Sequence, residues 1–174
     1  MSEFTVSIVG EDRPGIVAAV TGALLEAGGT VENCRASILA GSFAMVLAVQ
    51  VPEWVTDQDI VDLLAPTASG LGLSLGVRPA APAAADQGRE RCVITVYGAD
   101  RPGIVHGAAS ALAAAGVNIV DLSSRLVGDP PIYVLGIEAE LPDGMGAEGL
   151  EQVMRCPELA GLDMSVQSES ERLL

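Results

Sequence analysis

Eight residues with a capacity for chemistry occur twice in this chain. Gly10-Glu11-Asp12-Arg13-Pro14-Gly15-Ile16-Val17 returns 88 residues later as Gly98-Ala99-Asp100-Arg101-Pro102-Gly103-Ile104-Val105, with a single difference. A short apolar run precedes each copy and a helical pattern follows it, so each sits where a strand turns into a helix. The first backbone N–H groups of a helix are unpaired, and its dipole favours an anion there by roughly 0.3–1 kcal/mol, more where the site is buried. Gly15 and Gly103 carry no side chain, so a carboxylate can approach the main chain. Asp12 and Asp100, on the same turns, can receive an ammonium group. A zwitterionic amino acid offers both charges. The same residues also suffice as a ligand-free turn, with Asp12 and Asp100 as N-caps and Pro14 in the first helical turn.

The elements that position these turns follow from the residue patterns. Phe4, Val6 and Ile8 alternate with polar residues as a first strand, and Ile16, Val20 and Leu24 recur at helical spacing up to Gly28-Gly29. Val31–Leu39 and Phe43–Val51 read as a hairpin about Gly41-Ser42. Thr56 with Asp59 forms a capping-box pattern opening a short helix that Pro66 should end or kink. Leu71, Leu73, Leu75 and Val77 then alternate as a fourth strand. The Pro- and Ala-rich stretch Arg78 to Arg91 has no periodicity and reads as a linker, its core being residues 79–90. The order then repeats: strand Cys92–Tyr97, helix Pro102–Ala115, strand Asn118–Leu126, turn Gly128-Asp129-Pro130-Pro131, strand Ile132–Glu140, a helix around Leu150–Met154, and strand Leu162–Gln167.

Each half is therefore β-α-β-β-α-β, with residues 1–78 and 91–174 as the two domains. A right-handed crossover leaves room for the third strand between the first two. The fold class is α+β, two tandem ferredoxin-like modules, each a four-stranded antiparallel sheet with two helices on one face. The other face and the edges are left bare, which suggests an intramolecular pair of modules and a homodimer of chains.

Composition narrows the functions. Lys+Arg number 9 against 23 Asp+Glu, a formal charge of −14, which disfavours binding to nucleic acid. No apolar run approaches the roughly 18 residues needed to span a bilayer, and Met1-Ser2-Glu3 leads directly into a strand, unlike a signal peptide. Cys34, Cys92 and Cys156 are widely spaced, in keeping with a reduced cytoplasmic protein.

The strand, the D-R-P-G-I-V turn, the helix ending in Ala-Gly and the following Val/Ile strand resemble the ACT domain, a regulatory module associated with amino-acid binding. Tandem copies on a short linker are similar to the glycine-cleavage-system transcriptional repressor family. The same N-terminal pattern opens formyltetrahydrofolate deformylases and several nucleotidyltransferases, whose catalytic domains have no counterpart here. The resemblance implies two ligand contacts: the acidic or amide residue before R-P-G, and an Asn at the start of the second strand. These match Asp12 and Thr30 in the first copy, Asp100 and Asn118 in the second. Candidate ligand residues are thus Asp12, Gly15 and Ile16, and Asp100, Gly103, Ile104 and Asn118, with the second set preferred because Thr30 departs from the pattern.

Nothing suggests catalysis. His106 is the lone histidine, with no Ser, Cys or acidic partner evident around it, and no Cys/His spacing suits a metal. Gly70-Leu71-Gly72 enters a strand instead of opening a helix, and Ile16-Val17 replace the Lys-Ser/Thr of a P-loop. Cys34 faces inward by strand phase and Trp54 reads as a packing residue. Two readings follow. One is a non-enzymatic, cofactor-free regulator that binds glycine or a similar amino acid between modules and acts on a transcription regulator. The other is an interaction module without a ligand, docking a partner through its outer sheet face and a Glu138/Glu140 edge.

Overall fold

A computed structural model describes residues 1–81 and 89–168. The chain divides into two compact units, Met1–Ala84 and Ala85–Leu174. The first contains β1 (Ser2–Glu11), α1 (Ile16–Glu26), β2 (Thr30–Leu39), β3 (Ser42–Val51), α2 (Asp57–Leu71) and β4 (Leu73–Pro79). The second contains β5 (Arg91–Gly98), α3 (Ile104–Ala114), β6 (Asn118–Val127), β7 (Ile132–Glu140), α4 (Ala147–Val153), a 3-10 turn at Pro157–Leu159 and β8 (Asp163–Ser168). The strand orders are β2-β3-β1-β4 and β6-β7-β5-β8, both antiparallel, so the third strand of each unit does lie between its first two.

Residues opposite one another in an antiparallel pair share a face, and this fixes both cores. Val6 pairs with Leu47 and Ile94 with Ile137, and all four are fully buried. Ile16, Val20 and Leu24 of α1 and Ile60 and Leu64 of α2 close the first core; Ile104, Ala108, Leu112 and Leu150 close the second. The two clusters have no residue in common.

Several sequence expectations need correction. Pro66 does not end α2, which runs 15 residues to Leu71. Its buried residues Ile60, Leu64 and Ala68 continue at helical spacing past the proline, which sits exposed, and that shared apolar face outweighs the lost N–H. Leu71 accordingly belongs to the helix, and β4 begins at Leu73. The capping box is present: Asp59 N donates to Thr56 Oγ1 at 3.2 Å, and Thr56 Oγ1 and N donate to Asp59 Oδ2 at 2.7 and 2.8 Å, holding the Asp59 carboxyl below its usual range.

Cys34 stands opposite Leu47 as its phase requires, yet it is exposed. Phase sets the face of a strand but not whether anything covers it, and the inner row of edge strand β2 beyond Val31 lies open to solvent. Trp54 is likewise 76% exposed and packs into no core. Glu138 and Glu140 are on no edge, because β7 runs between β6 and β5; Glu140 pairs with Arg91 at 2.7 Å. Of the linker, residues 82–88 lie outside the described residues, as do 169–174 of the second domain.

The β2–β3 hairpin turns on Ala40 and Gly41, at φ 50° and 78°. Two positive values mark a type I′ turn, for which Asn-Gly is preferred and alanine is strained. Ala40→Asn should therefore stabilise the first unit by about 0.5–1 kcal/mol, read as a raised urea midpoint at unchanged slope.

Candidate functional site

The repeated octapeptide adopts the same backbone in both units. Gly15 (φ 95°, ψ −8°) and Gly103 (φ 96°, ψ −6°) are the N-cap residues of α1 and α3, and neither helix start has a side-chain cap. Asp12 and Asp100 are therefore not N-caps. Each lies three residues earlier on an exposed loop, because a left-handed glycine has taken the cap position. The outcome is two helix N-termini whose first N–H groups are free of any side-chain cap. Behind each, Ile16 and Ile104 are buried core anchors, so they position the loop from beneath.

Identical sequences are fastened differently. In the first unit Asp12 N donates to Gly41 O at 3.0 Å, tying the loop to the hairpin tip. Arg13 pairs with Glu11 at 2.7 Å and holds that carboxyl below its usual range. In the second unit Arg101 instead donates to the carbonyls of Glu158 and Ala160, at 2.9 and 2.6 Å. The 3-10 turn it grips packs on α3 at Gly107, where a Cβ would collide with the Glu158 side chain. The first unit has Ala19 at that position and a longer second helix.

Thr30 and Asn118 occupy the first positions of β2 and β6, both exposed. Neither meets the D-R-P-G loop of its own unit. Thr30 pairs with Gln50 while Glu11 pairs with Ser42, at the two ends of β3, a separation of roughly 25 Å at ~3.3 Å per residue. Asn118 pairs with Glu140 and Gly98 with Tyr133, at opposite ends of β7. Asp100 and Asn118 of one unit thus cannot hold one small molecule between them.

Two features escaped the sequence reading. A surface cavity of about 450 Å³ beside α1 and the start of β2 is lined by Ala18, Thr21, Gly22, Leu25 and Thr30, among others. At the 88-residue offset the second unit has His106, Ala109, Ser110, Ala113 and Asn118, so polar groups replace the small Ala18 and Gly22. Ser110 Oγ also lies 3.5 Å from His106 Nδ1, at the limit of a hydrogen bond, on the next turn of α3. An i, i+4 search on the predicted helix would have found this pair. Among the described residues no group of His, Cys, Asp and Glu is arranged to hold a metal, and no buried side-chain polar atom lacks a partner. No described helix is long and apolar enough to cross a membrane.

Two ferredoxin-like units with a glycine-capped strand-to-helix turn define the class, and sequence profiles agree with it. ACT-domain profiles match residues 2–78 and residues 93–156. The chain belongs to the ACT-domain family and carries two such domains in tandem. A UPF0237 protein of Methanopyrus kandleri is 38% identical over 79 residues, covering 45% of this chain and 88% of the relative. A structure of an unknown protein from Galdieria sulphuraria is similar over 96% of this chain and 98% of its own, at 28% identity and a TM-score of 0.81. The structure of a candidate glycine cleavage system transcriptional repressor is similar over 96% of both chains, at 16% identity and a TM-score of 0.67; at that identity the likeness is one of fold.

Proposed function

We propose that this protein is a non-enzymatic, amino-acid-responsive regulator of the cytoplasm. It binds glycine or a similar small amino acid and acts on a partner protein, a transcription regulator of amino-acid metabolism. The observation that carries this reading is the pair of helix N-termini without side-chain caps, each behind a left-handed glycine with an aspartate on the same loop. Free N–H groups and helix dipole suit a carboxylate, and the aspartate suits an ammonium. No metal or cofactor enters.

Because Asp100 and Asn118 stand at opposite ends of their sheet, a ligand touching both kinds of residue bridges two units: the loop of one and the strand start of another. Binding then favours one assembly of units over others, which is how a small molecule changes what a partner meets, in proportion to its differential affinity for the two states. The same requirement supports a homodimer. The formal charge of −14 suits a protein that holds a DNA-binding partner without touching DNA itself.

The test is thermal unfolding with each of the twenty amino acids in turn. A ligand at a hundred times its dissociation constant adds ~2.7 kcal/mol, several degrees in units of this size. One or two amino acids should raise the midpoint selectively. The double substitution Asp100→Ala with Asn118→Ala should abolish that rise while leaving the ligand-free stability within about 1 kcal/mol of wild type, both side chains being exposed.

A second reading rests on the helix-free sheet faces. In the first unit Ser7, Val9, Ala44, Val46 and Ala48 share such a face, and both valines are half exposed. A protein docking on that face would need no small molecule, and the amino-acid panel would then be flat.

A further inference from the structure

The second unit holds a cavity of about 270 Å³ that the regulatory reading does not use. It arises where the second helix of that unit stops. α4 ends after seven residues, and the chain makes the 3-10 turn before entering β8, whereas α2 of the first unit continues for 15. The lining is apolar: Val96 and Met154 are buried, Leu162 and Met164 half-buried. Arg155 and Cys156 line the cavity as well, and Ala160 forms part of the wall. Arg155 is exposed and makes no ion pair with any described residue, although the chain carries an excess of 14 negative charges. The wall is fixed in place, because the Ala160 carbonyl is one of the two that Arg101 grips.

An apolar lining with one planar cation beside it matches one chemical class. A hydrocarbon tail removes the half-buried Leu162 and Met164 from water, and a guanidinium presents paired donors with the spacing of a carboxylate. A bare inorganic anion would leave Leu162 and Met164 uncovered, and a neutral hydrocarbon would leave the guanidinium unmatched. We propose that this cavity is a separate ligand site for a short-chain aliphatic monocarboxylate, with the carboxylate on Arg155 and the tail on Leu162 and Met164. Since the wall hangs from Arg101, occupancy also steadies the segment next to the Asp100–Gly103 loop.

The cysteines provide a readout independent of the twenty-amino-acid panel. Cys34 is exposed, Cys92 buried, and Cys156 lies at the cavity. In the full-length Cys34→Ser protein, alkylation of Cys156 by N-ethylmaleimide is followed while butyrate, valerate and hexanoate are titrated, with the matched alcohols in parallel. The acids should slow alkylation saturably, at least fivefold at the plateau and at lower concentration as the chain lengthens. The alcohols should not. Arg155→Gln, an exposed substitution whose folding is checked by circular dichroism, should raise the half-protecting concentration at least tenfold. Equal protection by acid and alcohol overturns the proposal, as does unchanged protection in Arg155→Gln or none up to the solubility limit. If the carboxylates protect while the amino-acid panel is flat, this site stands and the regulatory reading falls; the reverse pattern separates them the other way.

Discussion

Leu135→Ala should destabilise the second unit by about 3–5 kcal/mol, the upper part of the range for buried leucine truncations. Leu135 is fully buried in β7, between β6 and β5, and pairs with Val96. Its core neighbours are aliphatic residues of moderate size, such as Ile94, Ala108, Leu112 and Ile137. These side chains are held by the sheet and by α3 and relax only partly into the space, so most of the cavity persists. A whole domain has only about 5–15 kcal/mol of stability, and small ones lie at the low end. The variant should therefore sit close to its unfolding threshold, with a strongly lowered urea midpoint followed by far-UV circular dichroism. Leu47→Ala is the matching change in the first unit, where Leu47 is also fully buried. Since the two cores share no residue, the double variant should lose the sum of the two losses within about 0.5 kcal/mol. A loss below about 1 kcal/mol for Leu135→Ala would mean that the core collapses around the gap, and the close packing described for this sheet would be wrong.

Those cores were legible in the sequence because strand phase alone determines them. Val6 alternates with Thr5 and Ser7, Ile94 and Leu135 match Val6 and Leu47 at the 88-residue offset, and all four lie inward in step with that phase. The octapeptide was legible for a different reason: a repeat at a fixed offset marks two copies of one unit, and every element recurs at that offset up to the second helix. What could not be read was coverage. Cys34 has the phase of a core residue and Trp54 the composition of one, but nothing lies over either, since coverage depends on elements distant in sequence. Pro66 misled in the opposite direction. A local rule ends the helix there, whereas the burial of Leu64 and Ala68 on one face carries it on.

The candidate site was half legible. Residue types identified the turns and their charges, but not the cap, which belongs to Gly15 and Gly103 and not to the aspartates. Nor could they place Asn118 at the far end of the sheet from Asp100, which is a matter of register. The different anchoring of Arg13 and Arg101 is the clearest case. The two tetrapeptides are identical, so no reading of the motif distinguishes them. The difference comes from α4, which is short enough to leave the carbonyls of Glu158 and Ala160 within reach.

Gly103→Ala should eliminate the amino-acid response at a modest cost in stability. At φ 96° an L-residue is strained by roughly 1–2 kcal/mol, yet an added Cβ would meet no atom within 4 Å. The variant should therefore fold, with a penalty that is purely one of backbone conformation. The new methyl group would stand at the start of α3, where a carboxylate must approach the free N–H groups. Affinity for the stabilising amino acid should fall at least tenfold. Gly15→Ala, at φ 95° and equally unobstructed, asks the same question of the first unit. Gly116→Ala is the control. Gly116 also has positive φ (71°) and open space around it, but it lies just beyond the opposite end of α3. It should lose comparable stability and keep the full response in a thermal-shift titration. A response lost in Gly103→Ala and kept in Gly116→Ala would locate the ligand at the repeated turn. Equal responses in both variants would make that glycine a turn residue alone, and the sheet face the surface to pursue.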